Sequence, residues 1–455
     1  MGGGGIFDFF PRCSGFFSDE RKKEKTHSFF LFCVSSPKKN KNRQQDSIVD
    51  AAEAIRAALV PSIGTAQRGR WSVLGQSFGG FASVTYLCRA PRGLTEVLLA
   101  GGLPPDAAGW EEENEEEEER EATSASNGNS NSNKSSSKMS TADEVYDRLF
   151  ARVVAQNVKF YKRYPRDAAK VRSIVLALAA LPGGGASLPS GGILTPRGLQ
   201  LLGLAGLGSG GGLDRLHYLL ERALCPATGK VTSSFLRGYE SWMSWEANPL
   251  YALLHESIYC DGGGGGGGES GSSGWAAERA RQRGTATLSV PSSSSPAPNE
   301  PSATAATNGG EAPSPPPLQA TRSVTLPRPE AFDALRAARE GREVLFTGEM
   351  VFPWMFEEVG ALRPLRAVAE RLAAKSDWPR LYDLRALKSC RVPVAAAVYW
   401  EDMYVDFELS QRTAGRINGA RQWVTSELMH SGIRDDGARV FEHLMGLVRG
   451  STPLF

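Results

Sequence analysis

The chain has 455 residues, of which 41% are hydrophobic and 22% are charged, and its formal net charge is only +2. This balance, without a basic stripe that carries interleaved aromatic residues, predicts no nucleic-acid partner. No apolar run approaches the ~20 residues of a membrane span, and six scattered cysteines without a C-x-x-C pair predict neither a zinc site nor a disulfide framework.

The first 45 residues form an atypical N-terminus, which we predict to be disordered. Two basic clusters, Arg21–Lys23 and Lys38–Arg43, flank a short apolar run at Phe29–Val34. The run is short for a signal peptide, and no clear small-residue cleavage site follows it. A mispredicted or truncated N-terminus is the preferred interpretation, and a plastid or mitochondrial transit peptide is the alternative. The cysteine pattern favours a reducing compartment, so we expect a cytoplasmic protein.

Residues 46–106 are predicted to form the first part of an α/β core. Apolar residues recur at helical spacing over Asp46–Leu59. The short apolar run Trp71–Leu74 predicts a strand, Phe81–Cys88 a helix and Leu94–Ala100 the next strand. Strand, helix and strand at this spacing indicate a βαβ unit with parallel strands.

The turn between the first of these strands and its helix carries a G-x-S-x-G motif. It reads Gly75-Gln76-Ser77-Phe78-Gly79, and a further glycine follows. This context is typical of a nucleophile elbow, a sharp turn that lifts the serine hydroxyl above the edge of the sheet. The amide of Phe78 would then point to the place where an oxyanion forms. The alternative is an ordinary glycine-rich turn between a strand and a helix.

Low-complexity sequence interrupts the core after its second strand. Nine glutamates occur among residues 111–121, and a Ser/Asn tract follows, so we predict a disordered insertion over 107–140. A capping box at Thr141–Glu144 begins a mostly helical segment. We predict that residues 141–283 form a helical cap.

A second insertion separates the cap from the rest of the core. Residues 284–329 are rich in Ser, Pro and Ala and are predicted to be disordered. The run Val392–Tyr399 predicts a buried strand, and Arg439–Val448 predicts an amphipathic C-terminal helix. Residues 330–455 are therefore predicted to be the second part of the α/β core.

A nucleophilic serine needs a base and a carboxylate that orients the base. His430 is the best candidate for the base, because it follows the strand-like run Trp423–Ser426 and precedes the last helix. The other histidines lie before the ordered sequence, in the helical segment or in the last helix: His27, His217, His255 and His443.

Asp402 is the predicted orienting carboxylate, because the acidic pair Glu401-Asp402 directly follows the strand that ends at Trp400. Glu401 and Asp406 remain competitors, and a simple loop cap is the structural alternative. The order Ser77, Asp402, His430 matches the Ser…Asp…His order of α/β-hydrolases.

Several motifs together resemble the proline iminopeptidases (prolyl aminopeptidases) of the α/β-hydrolase superfamily. They are Gly75–Phe81, Leu98–Pro105, Asn248–Glu256, Phe346–Met350 and Tyr399–Val405. The resemblance covers most of residues 46–455 apart from the insertions. It implies an α/β-hydrolase with a mostly parallel sheet and a helical cap insertion.

The resemblance also implies an activity and a set of site residues. Ser77, His430 and Asp402 would remove an N-terminal proline from a peptide through a prolyl-enzyme, with no metal and no cofactor. Acidic side chains of the cap would bind the free amino terminus of the substrate. Three match or approach the family's motifs: Glu246, Glu256 and, more weakly, Glu349. Peptides with an N-terminal proline are the implied partners, and the oligomeric state stays open.

One departure from the family puts the activity in doubt. The family carries a His-Gly-Gly-Pro-Gly segment before the elbow, which supplies a second amide to the oxyanion hole, and residues 1–74 contain none. We therefore expect that N-terminal strands of the sheet are missing. Losing one oxyanion donor costs roughly 10²–10³ in turnover. An esterase or amidase on the same scaffold, or a catalytically inactive product, are the alternatives.

Overall fold

A computed structural model describes residues 29–31, 44–60, 69–105, 141–262, 271–283, 287–291, 321–325 and 329–452 of the chain. The predicted insertion at 107–140 lies outside the described residues. The same holds for most of the predicted disordered segments 1–45 and 284–329.

The described strands form one parallel sheet and two small antiparallel pairs. In chain order they are β1 Phe29–Leu31, β2 Trp71–Gln76, β3 Leu94–Ala100, β4 Ala186–Ser187, β5 Ile193–Leu194, β6 Thr287–Pro291, β7 Thr321–Thr325, β8 Val394–Tyr399 and β9 Arg421–Thr425. The described part of the main sheet has the order β1-β2-β3-β8-β9, with every neighbouring pair parallel. The pairs β4-β5 and β6-β7 are antiparallel.

Helices make up most of the remaining described chain. The α-helices are α1 Gln44–Leu59, α2 Phe78–Arg89, α3 Thr141–Arg163, α4 Asp167–Ala179, α5 Pro196–Gln200, α6 Gly203–Leu207, α7 Gly212–Glu221, α8 Ser233–Trp242, α9 Pro249–Leu254, α10 Ala276–Arg283, α11 Ala334–Arg339, α12 Met355–Glu358, α13 Arg366–Ala373, α14 Leu384–Lys388, α15 Phe407–Arg416 and α16 Gly432–Arg449. Short 3₁₀ turns lie at Pro91–Gly93, Pro182–Gly184, Glu256–Tyr259, Pro329–Phe332 and Gly360–Leu365.

The central strands are buried on both faces, as a parallel sheet between two layers of helices requires. Alternate residues of β3 and β8 belong to different hydrophobic clusters, because successive side chains of a strand point to opposite faces. Val97 and Ala396 pack with the α1 and α2 side of the sheet, whereas Leu98 and Ala395 pack against α16. The short alanines of β8 allow that helix to approach the sheet closely.

The predicted α/β-hydrolase class, with a mostly parallel sheet and a helical insertion, is confirmed. The sheet nevertheless includes a strand that we did not predict. Phe29–Leu31 pairs in parallel with Ser72–Leu74 and forms the edge strand β1, within the segment predicted to be disordered. Its apolar, aromatic composition suits a strand.

Two other expectations about organisation differ from the structure. The second predicted insertion contains the antiparallel pair β6-β7, whose Thr and Val residues favour strands. Residues 330–373, predicted as core, pack instead with the helices of 141–283 in one hydrophobic cluster that includes Phe332, Phe346 and Leu362. The cap is therefore built from two separate stretches of the chain.

Candidate active site

Ser77 lies in a strained turn between β2 and α2. Its backbone angles are φ 53° and ψ −128°, in a region that residues other than glycine rarely adopt. The turn is held by Gly80, whose amide donates to the Ser77 carbonyl (2.8 Å), and by the Ser77 amide, which donates to Ala100 (3.2 Å). A Cβ on Gly75 would lie 2.5 Å from the Gly79 carbonyl oxygen, so only glycine fits there. This is the geometry expected of a nucleophile elbow.

Phe78 is the first residue of α2, directly after Ser77. The amides of the first helical turn have no acceptor within their own helix, and the helix N-terminus favours negative charge. The Phe78 amide therefore lies where it could donate a hydrogen bond to an oxyanion that forms next to Ser77. The end of β1 pairs with Leu74, close to this turn, but residues 32–43 that follow it are outside the described part of the chain.

Asp402 and His430 form a buried hydrogen-bonded pair. The Asp402 carboxylate, in the turn after β8, lies 2.8 Å from Nδ1 of His430, which follows β9. Its other oxygen accepts the amides of Tyr404 (2.8 Å) and Val405 (3.1 Å). Asp402 is 1% exposed, and these three bonds compensate its burial. Neither competitor is bonded this way: Glu401 pairs with Lys159, and Asp406 caps α15.

The structure brings this pair and Ser77 to the same edge of the sheet. In a parallel sheet the carboxyl ends of the strands meet at one edge, and β2, β8 and β9 end there with Ser77, Asp402 and His430. Gln76 donates to the His430 carbonyl oxygen (3.1 Å). After β3, a Cβ on Gly101 would lie 3.2 Å from Asp402 Oδ2, and one on Gly102 would lie 3.1 Å from the Ser77 amide nitrogen. The two glycines thus lie between the serine and the carboxylate, where a side chain would come close to either group.

The His430 ring has an aromatic support that the sequence did not reveal. Tyr404 stacks on it, with ring centroids 4.4 Å apart and planes inclined by 22°. The Tyr404 hydroxyl donates to the Leu204 carbonyl in the cap. Tyr404 belongs to the Tyr399–Val405 motif, yet neither periodicity nor charge marks it as a contact of the base.

The electrostatic surroundings of His430 favour the protonated ring. Burial opposes the charged imidazolium, but the Asp402 carboxylate and its hydrogen bond outweigh burial, and Glu349 adds a second negative charge. The pKa of His430 is therefore raised above its ordinary value of 6.5. A base of this kind is neutral, and able to accept a proton, only above that raised pKa.

Two of the three predicted amine ligands are engaged elsewhere in the cap. Glu246 accepts the amides of Gly360 (2.9 Å) and Ala361 (3.0 Å) at the start of a 3₁₀ turn. Glu256 accepts the amides of Ala276 (3.1 Å) and Ala277 (3.0 Å) at the start of α10. Both carboxylates thus satisfy backbone donors at helix starts, which otherwise lack partners.

Glu256 is nevertheless electrostatically unusual. Burial raises its pKa to about 7, although the amides of Ala277 and Ala276 and the side chain of Ser273 bond to the carboxylate. A carboxylate that is only 6% exposed loses most of its hydration, and backbone amides replace it in part.

Glu349, the weakest of the three from sequence, is the one whose charge acts on His430. Its carboxylate accepts the hydroxyl of Tyr251, and its carbonyl oxygen lies 3.2 Å from Nε2 of His255. The side chain is 9% exposed. The Glu349 carboxylate is therefore buried near the candidate base and bonded to a tyrosine hydroxyl.

The remaining described histidines have structural partners. His217 pairs with Asp167 at 2.7 Å, and His443 stacks on Trp423. Among the described residues, no group of three His, Cys, Asp or Glu side chains could hold a metal ion. Of the helices that the structure describes, none is both long enough and apolar enough to cross a membrane.

Comparisons with known proteins point to one family. No family model matches the chain. The chain is 35% identical over 404 residues to a proline iminopeptidase of Aeromonas sobria, which covers 89% of this chain and 71% of that protein. It is 27% identical over 421 residues to a proline iminopeptidase of Aspergillus aculeatus, covering 90% and 70% of the two chains.

Similarity to solved structures is weak. A proline iminopeptidase from Mycobacterium smegmatis matches with a TM-score of 0.30 and 12% identity, over 90% of this chain and 73% of the other. An α/β hydrolase from a deep-sea metagenome matches with a TM-score of 0.30 and 8% identity, over 93% and 78%. Scores this low carry no conclusion, whereas the identity and coverage of the Aeromonas relative do. The chain belongs to the proline iminopeptidase family.

Proposed function

We propose that this protein is a serine aminopeptidase that releases proline from the N-terminus of peptides. The observation that carries the proposal is the buried pair of Asp402 and His430, at the same sheet edge as the strained Ser77. A carboxylate that bonds Nδ1 leaves Nε2 of the imidazole as the atom that can accept the serine proton. The curated relatives, both named proline iminopeptidases, support the substrate class.

The reaction proceeds in two steps, acylation of Ser77 and hydrolysis of the acyl-enzyme. The Ser77 hydroxyl oxygen attacks the carbonyl carbon of the N-terminal proline while His430 takes the hydroxyl proton. The tetrahedral intermediate then breaks the C–N bond, and His430 gives its proton to the leaving amine, which leaves a prolyl ester on Ser77. Water, deprotonated by His430, attacks that ester; the acyl C–O bond breaks, His430 returns the proton to the Ser77 oxygen, and proline is released. Asp402 keeps the tautomer and stabilises the imidazolium in both steps.

Stabilisation of the oxyanion is assigned to the amide of Phe78. It lies at the N-terminus of α2, where the helix dipole also favours the developing negative charge. A second donor belongs, in this architecture, after the strand next to β2, and the residues after β1 are outside the described chain. The turnover of this chain, compared with that of an enzyme that has both oxyanion donors, is therefore the quantity to measure.

We assign recognition of the free amino terminus to Glu349 rather than to Glu246 or Glu256. An exopeptidase must bind a cationic secondary amine, and a desolvated carboxylate is the suitable partner. Glu349 supplies a buried charge that acts on His430, whereas the other two carboxylates each accept two backbone amides. A neutral ester substrate would need no such charge.

The test compares three substrates and two variants of the purified chain. We expect release of proline from proline naphthylamide, little from its N-acetyl derivative, which lacks the cationic amine, and little from a simple acyl ester. Ser77→Ala should abolish turnover and fluorophosphonate labelling. Ser83→Ala is the matched control, because this nearby serine only donates to the Gly79 carbonyl.

Preference for the acyl ester over proline naphthylamide would favour an esterase instead. Absence of labelling at Ser77 in the folded protein would favour a catalytically inactive product. Either result would refute the proposed aminopeptidase.

We also propose a cytoplasmic location, with a plastid or mitochondrion as the alternative. Among the described residues, Cys88, Cys225, Cys260 and Cys390 are all free thiols. Free thiols suit a reducing compartment. Fractionation of cells that express the tagged full chain tests this proposal, and recovery with a secreted or membrane fraction would contradict it.

A further inference from the structure

A continuous aromatic wall leads from the elbow into the cap. Phe78 contacts Phe81 with ring centroids 6.3 Å apart, and Phe81 contacts Tyr259 at the same distance. Tyr259 in turn meets Tyr146 edge-on at 5.8 Å and His255 at 5.8 Å. The wall therefore reaches both the α3 helix, which carries Tyr146, and the segment that faces Glu349.

The hydroxyl of Tyr146 has no hydrogen-bond partner among the described residues, although the residue is 0% exposed. Buried hydroxyls are normally paired, and an unpaired one needs an explanation. Three other buried tyrosines of this region are paired: Tyr161 donates to the Val344 carbonyl, Tyr251 to Glu349 and Tyr404 to the Leu204 carbonyl.

Negative charge faces the Tyr146 hydroxyl. Burial raises its pKa, and the carboxylates of Glu256 and Glu349 raise it further, so the hydroxyl stays neutral. Glu256 already accepts two backbone amides. A cation that entered this region would therefore find the Glu349 carboxylate, which accepts the Tyr251 hydroxyl but keeps further lone pairs, and one neutral oxygen with lone pairs.

Two other buried polar groups that lack a partner among the described residues could not serve as acceptors for such a cation. The indole of Trp245 also has no hydrogen-bond partner within the described part of the chain, but it can only donate. The hydroxyl of Tyr399 likewise finds no partner there, but its ring packs in the cluster under α16, against Gly432.

We propose that the Tyr146 hydroxyl accepts one of the two N–H groups of the secondary ammonium of an N-terminal proline, while Glu349 accepts the other. This inference rests on the proposed function, because it names a second ligand for the same substrate amine. A protonated pyrrolidine nitrogen carries two hydrogens, so a site with one carboxylate and one further acceptor matches it. Tyr146 is thereby a specificity-determining residue for secondary amines.

The experiment measures binding without turnover, by calorimetry on the Ser77→Ala protein. The probes are prolinamide and N-methylprolinamide, whose tertiary ammonium has only one N–H. We expect Tyr146→Phe to weaken prolinamide about tenfold, the effect of losing one hydrogen bond to a charged group. Binding of N-methylprolinamide should change less than about twofold, because that ligand has no second hydrogen to lose.

Tyr161→Phe is the matched control, since it removes a paired hydroxyl from the same helix and should leave both affinities unchanged. Equal weakening of the two ligands by Tyr146→Phe, or no weakening, would overturn the inference, as would failure of the parent protein to bind prolinamide. Peptide cleavage by the unmodified protein is measured separately. If that activity is absent but the binding pattern is as expected, only the proposed function fails.

Discussion

Replacing Glu256 with glutamine should change how the stability of the protein depends on pH. The folded protein raises the pKa of this carboxyl from 4.5 to about 7, chiefly by burial. A raised pKa means that the folded state binds the proton more tightly than the unfolded state does. The resulting stabilisation is fully present below about pH 4.5 and is lost as the pH rises through about 7.

The size of the effect follows from these two values. Each pKa unit corresponds to about 1.4 kcal/mol, so the full difference is about 3 kcal/mol. Between pH 5 and pH 8, the free energy of unfolding of the natural protein should fall by about 2 to 3 kcal/mol relative to that of Glu256→Gln. Glutamine keeps one acceptor oxygen for the amides at the start of α10 but cannot ionise.

The assay is urea unfolding of both proteins at pH 5, 6, 7 and 8, followed by circular dichroism. Glu246→Gln is the control, because it also removes a carboxylate that accepts two backbone amides. That carboxylate is partly exposed, so this variant controls for the loss of the two backbone hydrogen bonds without the deep burial of Glu256. Parallel pH curves for the natural protein and Glu256→Gln would refute the reasoning. In a separate kinetic assay, a tenfold rise in the KM of Glu256→Gln for proline naphthylamide would indicate that Glu256 binds the substrate amine.

Three further changes test the site and its support. Asp402→Asn keeps an acceptor for the amides of Tyr404 and Val405 but disturbs the tautomer of the proposed base. The kcat for proline naphthylamide should therefore fall by about 10⁴, and a loss below tenfold would contradict the proposed triad. Glu349→Gln removes a charge that raises the pKa of His430, so the acid limb of the pH profile of kcat/KM should move to lower pH. The KM should also rise, because the proposed amine ligand is lost. An acid limb that stays in place or moves to higher pH would contradict this. Arg152→Met removes a buried partner of Asp406 and of the Trp400 carbonyl, and should cost about 3 kcal/mol in urea unfolding. The more exposed Arg148→Met should cost about 1 kcal/mol or less, and equal losses would contradict the difference in burial.

The parts of the fold that were predictable are those with strong local signals. The G-x-S-x-G turn needs glycines at fixed positions, so the elbow at Ser77 could be recognised from five residues. Val394–Tyr399 is a continuous apolar run, which a buried parallel strand requires. Asp402 and His430 were selected because each lies a few residues past the end of a predicted strand, and the carboxyl ends of parallel strands share one edge.

The rest depends on contacts between residues that are far apart in the chain. The apolar run at Phe29–Leu31 is only three residues long in the sheet, too short to distinguish from its basic surroundings. The helices of 330–373 have the same amphipathic pattern whether they pack on a sheet or on other helices. Motif similarity selected Glu246 and Glu256, but it could not reveal that backbone amides occupy both carboxylates.

Tyr146 and Tyr404 illustrate the same limit at the site. An aromatic residue in a helix or turn is most often part of the core, and nothing adjacent in sequence distinguishes these two. Their significance comes from what lies next to them, a stacked imidazole for Tyr404 and no hydrogen-bond acceptor among the described residues for Tyr146. Both facts are properties of the folded chain alone.

The wide separation of Ser77 from His430 along the polypeptide has a consequence for biosynthesis. Ribosomes deliver the chain from its N-terminus, and domains begin to fold as they emerge. The elbow therefore leaves the ribosome more than 350 residues before His430, the proposed base, and β9, the strand before it, pairs among the described strands with β8 alone. A nascent chain therefore holds Ser77 without its proposed base until β9 and the residues up to His430 have been translated, so the proposed reactivity would arise only when β9 joins the sheet.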